Sequence, residues 1–449
     1  MPYLESQDKD KRVLIGLAVS GGGSRAATFA AGALEALADL RVEDGQGQSV
    51  LEKVDYISSV SGGSLASAYY ALNKPQNKVA MIEKSALSPE YKRFFDKFTT
   101  DMQTDFERPA AVRQILKLRA LNSTKAAYSF AESWDEMFYG GKTLAELYTR
   151  EKNLDSPRLI LNGTRWNDGR RFISTTLPIE DFNPEFATLL LKKLEQSQTI
   201  PNEEKRLIRD QLHKAYEQFR PISFQNINGH QNAGTDFKDI KMSLAVASSA
   251  SVPGVIGPVT YNVRGSTAVY HHIGDGGLFD NQGVETLVEL FLNKLYKDPD
   301  KKALIIIIDA SYPFDAGKAN LDRADTALDV YKADPFRIQA MMEQRALSYQ
   351  LALWAILRSQ PNSILPDFDH LRIVRLRHTE AKWSGFDDLP EACRNGYFPR
   401  DVTSDQINQD IATIPTLFRL KHPCHGPLLI KAAHKVVNQY RERIVSFAK

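Results

Sequence analysis

The chain has 449 residues, 43% hydrophobic and 25% charged, a composition typical of a globular protein with a sizeable core. The formal net charge of +2 at pH 7 gives no global electrostatic case for binding nucleic acid or another acidic polymer. No uninterrupted apolar run approaches the ~20 residues that a membrane-spanning helix needs. The two cysteines, Cys393 and Cys424, are too few for a disulfide framework, and we expect two thiols, buried or at the surface.

The beginning of the chain carries no targeting signal that we recognise. Residues 1–12 are polar and charged, and they lack the apolar core and cleavage site of a secretory signal peptide. We therefore expect a cytoplasmic or peripherally membrane-associated protein, with secretion as an effector left open. A chain of 449 residues can hold two domains, or one α/β domain with large insertions. The sequence leaves the oligomeric state open.

Two strand–loop–helix units open the chain. The apolar run Val13–Val19 predicts a strand, the small residues Ser20–Ser24 a tight loop, and Arg25–Leu40 a helix. The second unit has a predicted strand at Val54–Val60 and a predicted helix at Ser64–Leu72, with a short turn between them. Further strands are predicted at Arg158–Asn162, Arg171–Thr175, Ser243–Ala247 and Ala303–Asp309. Because helical patterns separate the strands, we predict a three-layer α/β/α fold with a mainly parallel central sheet.

Three polar or amphipathic stretches are predicted to be helical: Ala80–Arg150, Ile179–Arg220 and Ala316–Ser359. We expect these stretches to cover the sheet, and a lid or a membrane-facing cap is the alternative. Near the C-terminus, apolar residues recur at intervals of three and four, which predicts one buried helix face. The residues of that face are Leu429, Ala433, Val436, Val437, Tyr440 and Ile444.

A serine between a predicted strand and a predicted helix is a candidate nucleophile. Residues 58–64 read SSVSGGS, and Ser61 follows directly on the second predicted strand. A nucleophilic serine needs a turn so tight that its hydroxyl projects above the sheet, and small neighbours such as Gly62 and Gly63 permit that turn. Ser59 stands where glycine is usual, so the match to G-x-S-x-G is incomplete. A simple connecting turn is the alternative interpretation.

A glycine-rich loop follows the first predicted strand, where residues 20–26 read SGGGSRA. Consecutive glycines leave their N–H groups unshielded at a helix N-terminus, where the helix dipole is positive. Such a loop can hold a phosphate or the oxyanion of a tetrahedral intermediate. The loop also fits a dinucleotide-binding fingerprint, which needs an acidic residue at the end of the next strand. Glu43 and Asp44 lie near that distance, but in a polar stretch unlike a strand end, so we disfavour this alternative.

A third segment, residues 274–281, reads GDGGLFDN and places Asp275 between glycines on a predicted exposed turn. On such a turn the carboxylate can approach another element closely. An ordinary Asp-Gly turn is the alternative interpretation of the same residues.

The order of these three segments resembles the patatin-like phospholipase family. That family has a glycine-rich loop after the first strand, a serine elbow after the next strand and a late Asp-Gly-Gly, and the cytosolic calcium-regulated phospholipases share its fold. The segment SGGGSRA corresponds to the family's G-G-G-x-R-G loop, with Ala26 in place of its last glycine. The segments LNGTR at 161–165 and ASSASVPG at 247–254 also resemble family segments. Two residues depart from the family pattern: Ser59 stands where glycine is usual, and Gly283 stands where proline is common.

The resemblance implies a domain arrangement and a class of substrate. The catalytic core would span residues 12–310, with helical insertions at about 80–150 and 179–220. A mainly helical part, residues 311–449, would pack on that core. The resemblance implies no cofactor, no metal and a lipid substrate at a membrane or micelle surface. Consistent with this, we find no cluster of His, Cys, Asp and Glu with metal-ligand spacing.

The resemblance also implies a Ser–Asp dyad. Asp275 would accept the proton of Ser61, which would attack the acyl carbonyl and form an acyl-enzyme. Partial desolvation would raise the basicity of Asp275. The oxyanion would be stabilised by the loop of Gly21, Gly22 and Gly23, at roughly 3–4 kcal/mol per donor.

Arg25, at the end of the glycine loop, is a candidate contact for the phosphate of a phospholipid. An ion pair on the helix surface is the alternative role for this residue.

Histidines offer a competing mechanism. His271 and His272 shortly precede the aspartate, but a strand would point them to opposite faces, so at most one approaches the site. An α/β-hydrolase triad needs a histidine that follows the acid in the chain. The candidates for that role are His422, His425 and His434.

The sequence therefore predicts a lipid acyl hydrolase of the phospholipase A or lysophospholipase type. An esterase or lipase acting on neutral lipids or acyl thioesters is an alternative, because the dyad does not read the head group. A catalytically silent lipid-binding protein is a second alternative, which the departure at Ser59 keeps open.

Overall fold

A computed structural model of the chain describes residues 11–42, 47–84, 86–119, 122–183, 185–227, 239–252, 256–262, 270–313, 341, 344–346, 348 and 369–449. Glu43, Asp44 and most of the predicted helical stretch 316–359 lie outside these residues.

Nine of the described strands form one sheet, and the other two form a separate short ladder. The strands are β1 (Val13–Val19), β2 (Tyr56–Val60), β3 (Ile82–Glu83), β4 (Ala86–Leu87), β5 (Arg158–Arg165), β6 (Arg170–Thr175), β7 (Ile222–Ser223), β8 (Val259–Asn262), β9 (Tyr270–Asp275), β10 (Lys302–Asp309) and β11 (Leu371–Arg377). The main order is β11-β10-β1-β2-β5-β6-β7, and β9 pairs with β5 and β8. From β11 to β5 all neighbours run parallel, whereas β6 and β9 are antiparallel to β5. The predicted mainly parallel sheet is thus confirmed.

The described α-helices lie before, between and after these strands. They are α1 (Gly23–Asp39), α2 (Ser61–Asn73), α3 (Pro89–Asp101), α4 (Glu107–Leu116), α5 (Ser123–Trp134), α6 (Leu144–Lys152), α7 (Glu185–Gln196), α8 (Asn202–Phe219), α9 (Met242–Ser249), α10 (Gly277–Asp280), α11 (Val284–Lys297), α12 (Glu391–Arg394), α13 (Ser404–Thr413), α14 (His425–Gln439) and α15 (Arg441–Ala448). No helix among the described residues combines the length and the apolar character that a membrane crossing requires.

The sheet separates two apolar clusters, one on each face. In β1, Leu17 and Val19 belong to the first cluster, whereas Leu14 and Ala18 belong to the second, as the alternation of side chains along a strand requires. Helices α1, α2 and α14 contribute to the first cluster, and α11 contributes to the second, in which Phe291 is fully buried. These layers form the predicted α/β/α sandwich.

Helix α1 is buried on nearly all sides because it lies between the sheet and other helices. It packs against α2 and, most extensively, against α14. A Cβ atom on Gly32 would lie 2.9 Å from the Cα of Ile430, so glycine lets α1 and α14 approach closely. The predicted C-terminal face is buried at Leu429 and Ala433, and Ile444 is buried in the following helix α15.

One predicted strand is wrong. Residues Ser243–Ala247 lie in helix α9, which packs against α2, α5 and β5. A short run of small apolar residues fits a buried strand and a buried helix equally well, because its hydrophobicity has no distinguishing period. Four strands of the sheet, β7, β8, β9 and β11, were not among the predicted ones, and β11 extends the sheet beyond β10.

The expectation of two thiols is also wrong, because a disulfide joins Cys393 to Cys424. It links helix α12 to the residue before α14, and the two Cα atoms are 4.7 Å apart. The two cysteines are 31 positions apart in the chain, so only the tertiary fold reveals that they are neighbours.

Candidate active site

Strands β2 and β9 meet end to end along one edge of β5. Strand β2 pairs with the first half of β5 and ends with Val60 opposite Asn162. Strand β9 runs in the other direction along the second half and ends with Asp275 opposite Gly163. The other edge of β5 is occupied by β6, so β2 and β9 share the remaining edge. This register brings Ser61, the residue after Val60, beside Asp275.

Ser61 occupies a strained turn at the start of α2. Its φ angle is 52°, in the left-handed region that serine seldom adopts. A Cβ atom on Gly62 would lie 2.0 Å from the carbonyl oxygen of Gly23, and one on Gly63 would lie 2.4 Å from that of Ser20. The two glycines therefore allow α2 to begin directly against the glycine-rich loop. This is the tight strand–turn–helix geometry of a nucleophilic serine.

Ser59, which stands where glycine is usual, is accommodated in this turn. The residue is fully buried, and its Oγ donates a hydrogen bond to the Ile160 carbonyl oxygen at 3.4 Å. Ser59 Oγ also accepts a hydrogen bond from Ser64 Oγ at 3.1 Å. The extra hydroxyl therefore has partners, and the turn forms despite the departure from the glycine pattern.

The carboxyl group of Asp275 is buried, with the residue only 3% exposed. Burial raises the pKa of Asp275 to about 6, and hydrogen bonds from the Gly277 N–H and the Ser61 side chain partly oppose that rise. The Gly277 N–H lies 2.7 Å from Oδ1. Oδ2 has no partner of strict hydrogen-bond geometry in the described part of the chain. The Ser61 contact is therefore loose, as is common at catalytic sites before substrate binds.

Ser249, at the end of α9, links the serine turn to the aspartate turn. Its Oγ accepts a hydrogen bond from the Ser61 N–H at 3.1 Å and donates one to the Asn162 carbonyl oxygen at 2.5 Å. Its own carbonyl oxygen accepts the Gly276 N–H at 3.2 Å. One residue therefore holds the backbone on both sides of the candidate dyad. The segment of Ser249 was singled out in the sequence but this role was not, although the run of serines between alanines was an available signal.

Asn162 fixes the same region from inside the sheet. Its Nδ2 donates to Ser58 Oγ at 2.8 Å and to the Ser59 carbonyl oxygen at 3.0 Å. Its Oδ1 accepts a hydrogen bond from Thr286 Oγ1 at 2.7 Å. The side chain therefore connects β2, β5 and α11 below the serine turn.

The three glycines predicted to form an oxyanion hole are not equivalent. The Gly21 N–H donates to the Asn281 carbonyl oxygen at 2.8 Å, so it is not an available donor, which corrects the prediction for that residue. The N–H groups of Gly22 and Gly23 have no acceptor among the described residues. Both glycines have positive φ angles, 141° and 59°, and they lie at the start of α1, where Gly22 precedes the helix and Gly23 is its first residue. They remain the candidate donors.

Arg25 lies in the interior, not on a surface. The residue is fully buried, and its guanidinium donates hydrogen bonds to the Ala310 carbonyl oxygen at 2.9 Å, the Ile414 carbonyl oxygen and Thr416 Oγ1 at 3.1 Å. This placement does not support the predicted phosphate contact, and it also differs from a surface ion pair. Arg25 instead attaches α1 to the segment that precedes α14.

That C-terminal segment covers the glycine-rich loop. The Leu417 carbonyl oxygen accepts the Ser24 N–H at 2.7 Å, and a Cβ atom on Gly23 would lie 2.2 Å from the same oxygen. The next residue, Phe418, accepts the Phe106 N–H at 2.8 Å through its carbonyl oxygen. Residues more than three hundred positions apart thus build one wall of the candidate site.

Four of the five histidines considered for a triad have other hydrogen-bond partners in the described structure, and none of the five is bonded to Ser61 or Asp275. His272 Nδ1 lies 2.9 Å from Thr260 Oγ1, and His434 Nε2 lies 3.0 Å from Glu35 Oε2. His425 Nε2 lies 2.9 Å from the Tyr397 hydroxyl, His422 Nδ1 accepts the Cys424 N–H, and His271 is buried with both ring nitrogens unpaired. No hydrogen bond in the described part of the chain joins a histidine to Ser61 or Asp275.

The family model of patatin-like phospholipases matches residues 17–288, more than half of the chain, and the chain belongs to this family. No curated protein matches it in sequence. A structure of human GIVD cytosolic phospholipase A2 is similar at 12% identity and a TM-score of 0.44, covering 98% of this chain and 60% of that one. A structure of that protein in complex with methyl gamma-linolenyl fluorophosphonate gives 13% identity and a TM-score of 0.45, with 98% and 59% covered. The chain thus spans about 60% of the length of these neighbours.

Replacing Ser249 with alanine tests the link between the two turns. The Ser61 N–H would lose its acceptor while remaining buried, and a lost buried hydrogen bond costs about 1–3 kcal/mol. We expect the rate at which a fluorophosphonate labels Ser61 to fall at least about tenfold, equivalent to about 1.4 kcal/mol. The matched control is Ser248→Ala, because Ser248 Oγ bonds to Leu244 and Tyr261 instead of the serine turn. Equal labelling rates in the two variants would remove this role from Ser249.

Proposed function

We propose that the protein is a lipid acyl hydrolase in which Ser61 is the nucleophile and Asp275 is its base. The observation that carries this proposal is the meeting of β2 and β9 on one edge of β5, which sets a strained serine beside a buried carboxyl group. Membership of the patatin-like phospholipase family supports the same reaction class. The proposed substrates are fatty-acyl esters of phospholipids or lysophospholipids.

The proposed reaction begins with proton transfer from the Ser61 hydroxyl to the Asp275 carboxylate. The serine oxygen attacks the acyl carbonyl carbon, and the negative charge that develops on the carbonyl oxygen is stabilised by the N–H groups of Gly22 and Gly23. Collapse of this intermediate breaks the ester bond, and Asp275 returns the proton to the leaving alcohol oxygen. Water then attacks the acyl-enzyme with Asp275 again as the base, which releases the fatty acid and restores Ser61.

The environment of Asp275 supports a dyad without histidine. A carboxylate of ordinary pKa is a weak base toward a hydroxyl, but burial raises the pKa of Asp275 to about 6. That value lies near the operating pH, where a general base is most effective. The backbone of Asp275 is also held in place, because Thr164 Oγ1 donates a hydrogen bond to the Asp275 carbonyl oxygen at 2.9 Å.

Hydrolysis of neutral lipids or acyl thioesters is the second candidate function. The dyad acts on the acyl carbonyl and makes no contact that selects a head group. The burial of Arg25 favours this candidate. Its guanidinium is bonded inside the protein, so it is not available to bind the phosphate of a phospholipid substrate.

Lipid substrates require contact with a membrane or micelle, and we propose that the end of α4 makes it. Ile115, Leu116 and Leu118 are 70%, 77% and 86% exposed. The cations beside them are already paired, since Lys117 Nζ lies 2.7 Å from a carboxylate oxygen of Glu132. Apolar insertion, not attraction to anionic lipid, would therefore supply most of the binding free energy. The end of α4 would thus serve as the membrane-facing cap that was the alternative role of the stretch Ala80–Arg150.

A fluorophosphonate probe tests the nucleophile and the base. We expect the probe to label the wild type but not Ser61→Ala. Asp275→Asn should reduce ester turnover about 10²–10⁴-fold, the usual contribution of a general base, while the protein stays folded. His271→Ala and His425→Ala are the matched controls and should retain turnover. Absence of labelling in the folded wild type would eliminate the hydrolase and leave a silent lipid-binding protein.

The pH dependence of kcat/KM tests the assignment of Asp275 as the base. The base acts as a carboxylate, so kcat/KM should rise with pH and level off above the pKa, which is about 6. Below that pKa the rate should fall about tenfold for each pH unit. A water-soluble ester assayed between pH 4 and 8 provides the measurement. A midpoint near 4, the ordinary value for an aspartate, would mean that the acting base is not the buried Asp275.

Substitutions at the end of α4 test the membrane surface. Ile115→Glu/Leu116→Glu should lower the fraction that co-sediments with phosphatidylcholine vesicles several-fold, because each buried apolar side chain contributes about 1.5–3 kcal/mol. Turnover of a monomeric soluble ester should not change. Leu207→Glu, at a position 55% exposed on α8, is the matched control. Wild-type binding that stays at background with both zwitterionic and anionic vesicles would refute this surface.

A further inference from the structure

A cavity lies at the opposite end of the sheet from Ser61. It has a volume of about 320 Å³ and opens where β1, β2 and β5 begin. Among its lining residues are Asp55, which precedes β2, and Arg158, the first residue of β5. The serine and aspartate turns follow the other end of β2 and the end of β9, so this cavity is separate from the candidate active site.

Arg158 is the unusual residue of this cavity. It is only 4% exposed, yet its Nε and Nη2 atoms have no hydrogen-bond partner among the described residues. Its guanidinium carbon lies 5.8 Å from the centre of the Tyr56 ring, a contact that leaves the edge of the group unpaired. No ion pair joins it to the nearby Glu151 among the described residues. The Glu151 carboxylate accepts hydrogen bonds from the Leu159 N–H and the Thr176 hydroxyl, and burial raises the pKa of Glu151 to about 7, an effect that the charge of Arg158 only partly opposes. Burial of a cation without an anionic partner is strongly unfavourable.

A second cation faces the same cavity. Lys74 is 7% exposed, and its Nζ donates to Asn77 Oδ1 at 3.2 Å. Burial, followed by repulsion from Arg150, lowers the pKa of Lys74 to about 8, so the ammonium form still predominates at neutral pH. Asp155 opposes that effect, but its Oδ1 already accepts the Asn77 N–H at 2.8 Å.

The carboxylates that line the cavity already have hydrogen-bond or ion-pair partners other than Arg158. Asp55 pairs with Lys11 and accepts the Ile15 N–H at 2.9 Å. Glu52 accepts the Ser49 N–H at 2.8 Å. The cavity therefore offers two buried cations with unfilled capacity, and no lining carboxylate is placed to neutralise Arg158.

We propose that this cavity binds a small organic anion through a carboxylate or phosphate group. The Nε and Nη2 atoms form the edge of a guanidinium that binds two oxygens of such a group side by side. Lys74 supplies the second charge. The organic part of the ligand lies against the apolar lining residues, which are Leu51, Val54, Val79, Met81, Leu154 and Pro157. The volume is near the lower limit of ligand pockets, which selects a small molecule over an intact phospholipid.

Calorimetric titration of the full chain in phosphate-free buffer tests this site. Glycerol 3-phosphate probes for a phosphate ligand, and hexanoate probes for a carboxylate ligand. We expect one-to-one binding of at least one probe, weakened at least tenfold in Arg158→Gln. Arg158→Lys keeps the charge but loses the two-point contact, and it should weaken binding to a similar degree. Arg93→Gln, at an exposed arginine, is the matched control and should bind like the wild type.

The outcomes separate the possible ligands from failure of the proposal. Binding of glycerol 3-phosphate alone assigns a phosphate ligand, and binding of hexanoate alone assigns a carboxylate ligand. The site would be overturned if the folded wild type bound neither probe, or if Arg158→Lys and Lys74→Gln both bound with the affinity of the wild type. Lys74→Gln also decides the question if Arg158→Gln does not fold. Fluorophosphonate labelling of the same samples reports on Ser61 separately, so failure of one proposal is not mistaken for failure of the other.

Discussion

The shared edge of β5 is the constraint on which the candidate site depends. A strand has two edges, and because β6 occupies one of them, β2 and β9 must divide the other between them. The division falls between Asn162 and Gly163, and a shift of one residue in either strand would turn its side chains to the opposite face. The hydrogen bonds of Ser249 and Asn162 lie at this junction and fix it from both sides. The juxtaposition of Ser61 and Asp275, the proposed dyad, thus depends on sheet register more than on either turn alone.

Placing a carboxyl group at this junction has a cost in stability. The folded state raises the pKa of Asp275 from 3.8 to about 6, so folding takes up a proton between these two values. The contribution of this group to the free energy of unfolding therefore falls as pH rises through that window, by roughly 3 kcal/mol in total. An aspartate in an ion pair has the opposite dependence. Asp309, which Arg375 holds at a pKa of about 2, illustrates it. The same burial that destabilises the carboxylate makes it a better base.

The sequence contained enough information to predict the order of the layers and the positions of Ser61 and the glycine-rich loop, because each follows directly on a strand with a clear apolar pattern. Asp275 was singled out by its flanking glycines and by the family resemblance, since β9, which ends with it, has no clear apolar pattern, and the predicted exposed turn is wrong because the residue is buried. The short helix α9 was predicted as a strand, since its small residues carry no period. The role of Arg25 was missed for a different reason. Its partners, Ala310, Ile414 and Thr416, are distant in the chain, and no local pattern reveals a long-range contact with a carbonyl oxygen. The hydrogen bond that occupies Gly21 was missed for the same reason.

The disulfide between Cys393 and Cys424 makes the segment that covers the glycine-rich loop sensitive to the redox state of its surroundings. Closing a loop of this length removes about 3–4 kcal/mol of chain entropy from the unfolded state. The bridge ends at Cys424, the residue before α14, which lies seven positions after Leu417. Disulfides persist where thiols are not kept reduced. In an oxidising medium the wall that contacts Ser24 and Gly23 is therefore anchored covalently at its far end. In a reducing medium it is held by packing and by hydrogen bonds, which include those from Arg25, Ser24 and Phe106. The same polypeptide would then present a firmer or a looser wall beside Ser61, the proposed nucleophile, according to the medium it enters.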